Sequence, residues 1–232
     1  MSSLADAPGP HHPWRLAITG ASGIGKTTLA RALAAQLQLE FIKEDIGLLL
    51  EAQEAITRLG QNGQLKRSHI DSYAATCGEQ IERQNRAFLE HGAGGFICDR
   101  FAIDVIARLL RHPFDRVSEE LFCELLEAAR AQIAGMDLII IPPLSSWAFR
   151  PSRNDMGRAR NVAVLPKTRI HSLYTGLSLQ LAPERTLLLP AQDTRHEHWI
   201  PLVLEALSRP MATGVAKPAA PGYGAGAQHN AP

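Results

Sequence analysis

Eight consecutive residues, Gly20-Ala21-Ser22-Gly23-Ile24-Gly25-Lys26-Thr27, fill the Walker A pattern G-x-x-x-x-G-K-[ST]. The chemistry open to such a run is the binding of a polyphosphate. Glycines at 20, 23 and 25 let the backbone turn tightly and approach an anion without side-chain interference. Successive N–H groups can then point at one centre, and a helix starting near Lys26 adds partial positive charge. Lys26 is placed to meet the β- and γ-phosphates, and the Thr27 hydroxyl to ligate Mg²⁺. The expected nucleotide-contacting set is Gly20, Ser22, Gly23, Ile24, Gly25, Lys26, Thr27 and Thr28, with ATP and Mg²⁺ as cofactors. The rival reading is a chance glycine-rich turn. The apolar strand before the run and the helix after it favour the phosphate loop.

Three further groups bear on which reaction follows. Asp99-Arg100 closes the apolar run GFIC, and in an open α/β sheet ligands sit at such strand ends. Asp99 could hold the metal or take a proton from an acceptor hydroxyl, and Arg100 could bind substrate or phosphate. The plain alternative is a helix-capping aspartate in an ion pair. Asp104 lies one turn on and could reach the same cleft, although its type fits a surface position better. The second group is the segment 150–169, with Arg150, Arg153, Arg158, Arg160, Lys167 and Arg169 against one acid, Asp155. Arginines of a mobile loop can cover the charge of a transferring phosphoryl group, so a lid over about 143–166 is expected, with Arg158 catalytic and Arg153 and Arg160 on substrate. A solvated basic loop is the alternative. The third group is Glu44-Asp45. Glu44 could face the acceptor, and Asp45 could equally cap the helix that follows.

These residues need a scaffold that brings loops together at one edge. Short apolar runs at 15–19, 41–42, 95–99, 138–141 and 186–189 read as strands. They alternate with helical patterns at 26–38, 46–59, 70–91, 103–110, 118–133, 168–181 and 196–207. Ser118 suits an N-cap, and Leu121 rules out a capping box there. The alternation implies an α/β fold: a five-stranded parallel sheet with helices on both faces. Residues 1–13 and 210–232 are small, Gly/Pro-rich and poor in large apolar side chains, so they read as disordered tails around a domain at 14–209.

Composition narrows the class. A net charge of +1 over 232 residues argues against a general nucleic-acid or acidic-membrane binder. That balance is an average: 150–169 carries +5 and the remainder −4. Cys77, Cys98 and Cys123 show no metal or disulfide spacing, and all three read as buried structural thiols. His69, His91, His112 and His171 are scattered without ligand spacing. Trp147 and Phe149 flank the expected lid and suit base stacking or packing alike. No apolar run reaches membrane-spanning length and the start lacks a secretory pattern, so a cytoplasmic protein is expected.

Taken together, GASGIGKTT, the acidic strand end at Glu44, Asp99-Arg100, and the stretch from Asp137 through Pro142-Pro143 to Asp155-Met-Gly-Arg158 resemble the P-loop kinases of the AAA-domain/NadR-like type. These are relatives of nicotinamide riboside kinase and of nucleoside and nucleotide kinases. The resemblance spans about 15–207, with the P-loop its most specific part. It implies a P-loop NTPase sheet, an ATP–Mg²⁺ donor and a small hydroxyl- or phosphate-bearing acceptor. Lys26 and Thr27 match the donor site, Asp99 and Arg100 the acceptor side, and Arg158 a lid arginine. The lid, with Pro151 and its many arginines, follows no single substrate class. No nucleotidyltransferase or DNA-binding module precedes the P-loop, so a multifunctional NadR is not expected.

The expectation is therefore an ATP-dependent small-molecule kinase acting on a nucleoside-like or nucleotide-like acceptor, compatible with a homodimer. The alternative is an ATP-binding regulatory P-loop ATPase acting through a protein partner. Against a motor ATPase, the fourth strand ends in Pro142-Pro143 rather than Asp-Glu; against a GTPase, no N-K-x-D motif is present.

Overall fold

The computed structural model describes residues 13–43, 45–111, 117–151, 163–191 and 196–209. Five strands form one sheet: β1 (Arg15–Ile18), β2 (Glu40–Lys43), β3 (Phe96–Asp99), β4 (Leu138–Ile141) and β5 (Thr186–Leu188). All pairings are parallel and the order is β2-β3-β1-β4-β5. The central strands β1, β3 and β4 are apolar on both faces and almost wholly buried, as strands covered by helices on each side must be. This is the α/β sheet expected from the sequence.

Among the described residues seven α-helices connect or follow the strands: α1 (Lys26–Leu37), α2 (Gly47–Gln61), α3 (Arg67–His91), α4 (Ala102–Arg111), α5 (Glu119–Ala134), α6 (Val164–Leu181) and α7 (His196–Ser208). Helices α1 and α7 cover one face, where Leu29, Leu33, Trp199 and Val203 pack with Leu16, Ile18, Ile97 and Ile140. Helices α3, α4, α5 and α6 supply the other core, joined by Ala17, Phe96, Cys98 and Ile139 from the strands. Helix α3 runs 25 residues, with Ile70, Tyr73, Ala74, Cys77, Ile81 and Gln84 forming a buried stripe at helical spacing. Ser118 caps α5 by accepting from the Leu121 N–H at 3.2 Å.

Three sequence expectations change here. Helix α6 starts at Val164 rather than at 168, so Lys167 belongs to a helix rather than a loop. Lys167 is buried, donates to the Ala148 carbonyl and lies 5.7 Å from the Phe149 ring centre, so it pins α6 to the short 3-10 turn Ser146–Phe149. Cys123 is exposed, unlike the buried Cys77 and Cys98, because it falls on the outer face of α5. Asp104, expected at the surface, is 1% exposed, for reasons given by the site.

Candidate functional site at the P-loop and the ends of β2 and β3

Strand order reverses around β1, whose neighbours are β3 and β4. The crevice at the carboxyl ends of these strands is where an open α/β sheet takes a ligand. The run 20–27 occupies that place, between the end of β1 and the start of α1. Gly20, Gly23 and Gly25 have φ of 126°, 83° and 90°, in the region that favours glycine. A Cβ on Gly20 would also sit 2.7 Å from Ile24 Cδ1. Lys26 is buried, and its ammonium donates to the carbonyls of Gly20 (2.8 Å) and Ala21 (2.7 Å). Burial, then the neighbouring Arg100, push its pKa down to about 7; Asp99 and Asp104 act the other way. A buried lysine held by carbonyls alone is one that an arriving anion would stabilise.

Asp99 does not cap α4. The Thr27 hydroxyl donates to Asp99 Oδ2 in a short hydrogen bond, across 72 positions of sequence. The other carboxylate oxygen, Asp99 Oδ1, is buried with no hydrogen-bond partner among the described residues. A hydroxyl beside a carboxylate with an unsatisfied buried oxygen is a hard-oxygen donor set, which fits Mg²⁺. The capping role falls to Gln132 of α5, whose Oε1 accepts the Ala102 N–H at 2.6 Å.

Arg100 is one of two non-glycine residues with positive φ among the described residues, at 86°. Its N–H donates to the Ile18 carbonyl at 3.0 Å, which fixes the turn despite the steric cost. Its guanidinium lies 3.7 Å from Asp104 Oδ1. The other oxygen of Asp104 accepts from the Thr19 hydroxyl (2.7 Å) and from the Phe101 N–H (3.2 Å). Asp104 therefore ties the residue preceding the P-loop to the turn that carries Asp99 and Arg100. Burial raises its pKa, while Arg100, Lys26 and Arg108 favour the carboxylate. One aspartate thus faces three cations.

A cleft of about 150 Å³ opens beside this turn. Helix α3 contributes Gln80, Arg83, Gln84, Ala87 and Phe88; the end of β2 contributes Ile42, Lys43 and Asp45; Arg100 closes it. Gln80 Nε2 donates to the Asp45 carbonyl at 3.1 Å, joining α3 to the β2–α2 turn. Asp45 Oδ1 accepts the Gly47 N–H at 2.9 Å, so it shapes that turn one residue before the helix cap, Ile46.

The structure brings Lys26, Thr27, Asp99 and Arg100 together. Glu44, Arg153, Arg158 and Arg160 lie outside the described residues, as does the Trp147 side chain. The sequence admits Asp104 to this cleft while favouring the surface, and the structure buries it beside the cleft, against Thr19 and Arg100. Three other contributors were not found by sequence reasoning. Thr19 is one. His171 of α6 is the second: its Nδ1 accepts the Ala21 N–H at 3.4 Å, and burial, then Lys26, lower its pKa to about 4. His196 of α7 is the third, 3.2 Å from the Gly25 carbonyl. No local pattern marks them, because their partners are 85, 150 and 171 positions away.

Known proteins share this fold. A family model described as an AAA domain matches residues 15–183. No curated protein matches the sequence significantly. Among solved structures, NadR protein in complex with NR superposes with a TM-score of 0.56 at 21% identity, covering 88% of this chain and 55% of that one. The chain thus spans about half of NadR. Deoxyadenosine kinase from M. mycoides with bound dATP gives 0.57 at 14% identity, with 84% and 100% covered. Thymidylate kinase from Ehrlichia chaffeensis gives 0.50 at 19% identity, with 85% and 99% covered. No helix among the described residues is long and apolar enough to cross a membrane. With the family match running through most of its length and the sheet, P-loop and strand-end turn in place, the chain belongs to the AAA domain family and has the fold of P-loop nucleoside and nucleotide kinases.

Proposed function

We propose that the protein is a kinase that moves the γ-phosphoryl group of ATP to a small nucleoside-like or nucleotide-like acceptor. One observation carries this reading: the Thr27–Asp99 hydrogen bond joins the P-loop directly to the turn that carries Arg100 and borders the cleft. Donor and acceptor would then meet at the end of β3, within the reach in-line transfer requires.

The backbone N–H groups of 20–28 would hold the phosphates, with the side chains of Ser22 and Thr28 beside them. Lys26 would leave its two carbonyl partners for the β- and γ-phosphate oxygens. Mg²⁺, held by Thr27 and Asp99, would neutralise charge on the same oxygens. Asp99 Oδ2 accepts from Thr27 and Oδ1 is buried without a partner among the described residues, a pairing that supports its metal-side role. Arg100 would face the transferred group and the acceptor. Glu44, next to Lys43 and Asp45, would meet the acceptor's hydroxyls. Arg158, with Arg153 and Arg160, would close over the phosphoryl group from the 150–169 segment and exclude water.

The test is direct. Purified protein with Mg²⁺–ATP is offered nucleosides, nucleotides and related vitamins, and phosphorylated product is followed with ADP. Product formation that disappears in Lys26→Ala is the expected result. ATP hydrolysis stimulated by a protein partner, with no phosphorylated small molecule, would overturn the reading in favour of a regulatory ATPase.

A further inference from the structure

We infer that the acceptor is anionic: it carries a phosphomonoester, and the cleft beside Arg100 is built to hold it. This inference rests on the kinase reading above and selects within it. Of the described side chains lining the cleft, Lys43, Arg83 and Arg100 are cationic and only Asp45 is acidic. Counting Glu44, which lies between Lys43 and Asp45 in sequence, still leaves the balance positive. The remainder of the chain outside 150–169 carries −4, so a cationic concentration here runs against the background.

Asp104 does not cancel this charge. It is buried behind Arg100 and shared with Lys26 and Arg108. Arg100 is also held in a left-handed backbone conformation that an arginine adopts at a cost, fixed by the Ile18 carbonyl. Strain kept at one position of a cleft is the pattern of a side chain whose direction matters. Guanidinium groups recognise phosphate through paired N–H donors, which a neutral hydroxyl cannot match. The remaining surface is apolar where Phe88 lies, and amide-bearing at Gln80 and Gln84. A flat ring with polar edges joined to a phosphate fits that distribution.

The placement of Asp99 agrees. Its Oδ2 accepts from Thr27 and its buried Oδ1 suits a metal ion, so an acceptor that needs no base leaves Asp99 free for the metal side. An ionised phosphomonoester oxygen has no proton to lose. That oxygen attacks the γ-phosphorus, the bond from the γ-phosphorus to the bridging β,γ-oxygen breaks, and ADP departs with the electron pair. The products are ADP and a phosphoanhydride, and no base is consumed.

The experiment uses the full chain saturated with Mg²⁺ and a non-hydrolysable ATP analogue. Binding is measured by calorimetry for matched pairs of nucleoside and 5′-monophosphate, with sugar phosphates as a third arm. The expected result is at least ten-fold tighter binding of the phosphorylated member of a pair. That preference should fall about ten-fold in Arg83→Gln and in Lys43→Gln, and survive in Arg83→Lys. Tight binding of sugar phosphates alone would keep the phosphomonoester and remove the base-like ring. Equal or weaker binding of monophosphates throughout overturns the inference. If nucleosides are then phosphorylated, the kinase reading stands without it. If neither class binds or reacts while the ATP analogue binds, both fall.

Discussion

The two halves of the site are built in opposite ways. The proposed donor half is backbone: eight neighbouring residues, three glycines with positive φ, and a lysine folded onto the loop's own carbonyls. The proposed acceptor half is side chains from β2, α3 and the β3–α4 turn, spread over residues 42–100 and open to solvent on one side. A backbone cradle recognises what every nucleoside triphosphate shares. A side-chain cleft can differ from one relative to the next without disturbing the fold, which is why the fold alone does not name an acceptor. Asp104 joins the halves, with Thr19 on one side and Arg100 on the other.

That contrast can be broken at several points. The largest effect should come from Lys26→Ala, which removes the cation that follows the transferring phosphate. Turnover should fall by about three orders of magnitude in an ADP-release assay. Thermal stability should hold or rise, because a desolvated lysine is lost. Retained turnover would mean that the P-loop is not the donor site.

Asp104→Ala should be next. It orphans a buried Arg100 contact and the Thr19 hydroxyl, for a loss of about 3–5 kcal/mol in denaturant unfolding. Asp104→Asn is the more informative variant. It preserves shape and removes a charge felt most by Arg100 and less by Lys26 and Arg108, so it should raise the acceptor KM more than the ATP KM. Equal changes in both would show that Asp104 supports the fold without orienting Arg100.

Gly20→Ala should cost about 1–3 kcal/mol, since φ is 126° and the new methyl meets Ile24. Gly63→Ala is the control. It also has positive φ but nothing within 4 Å of its Cβ, so only the backbone term of about 1 kcal/mol remains. ATP affinity should follow Gly20 and ignore Gly63, measured by equilibrium binding.

The smallest effect concerns His171. Its folded pKa is about 4 against an ordinary value of 6.5, so the unfolded chain binds more protons between these pH values. Stability from this group is present above about 6.5 and is lost as pH falls to 4. His171→Gln should therefore reduce the fall in melting temperature across that window by about a few degrees. An unchanged pH slope would place His171 away from the P-loop.

Strand and helix order was legible because apolar runs and helical spacing are local properties. Helix ends shifted by a few residues, as at Val164, where Lys167 is fixed by Ala148 rather than by its own neighbours. Asp104 shows the limit more sharply. An aspartate one turn into a helix looks solvent-facing from its sequence surroundings. It is buried here because Thr19, Lys26, Arg100 and Arg108 converge on it from other elements. The exposed Cys123 is the converse, a residue whose type favours burial on a helix face that meets water.

By itself the sequence determined the parallel α/β class, the phosphate loop with Lys26 and Thr27, and the place of Asp99-Arg100 at a strand end. Each depends on residues adjacent in the chain, where spacing and backbone stereochemistry act directly. Only the tertiary structure decided that Asp99 meets Thr27, that Asp104 and His171 stand behind the loop, and that Lys43, Arg83 and Arg100 share a cleft. Those pairings depend on how the sheet orders its strands and how α3 and α6 lie across it. A side chain's partner is set by that packing and not by its position along the chain.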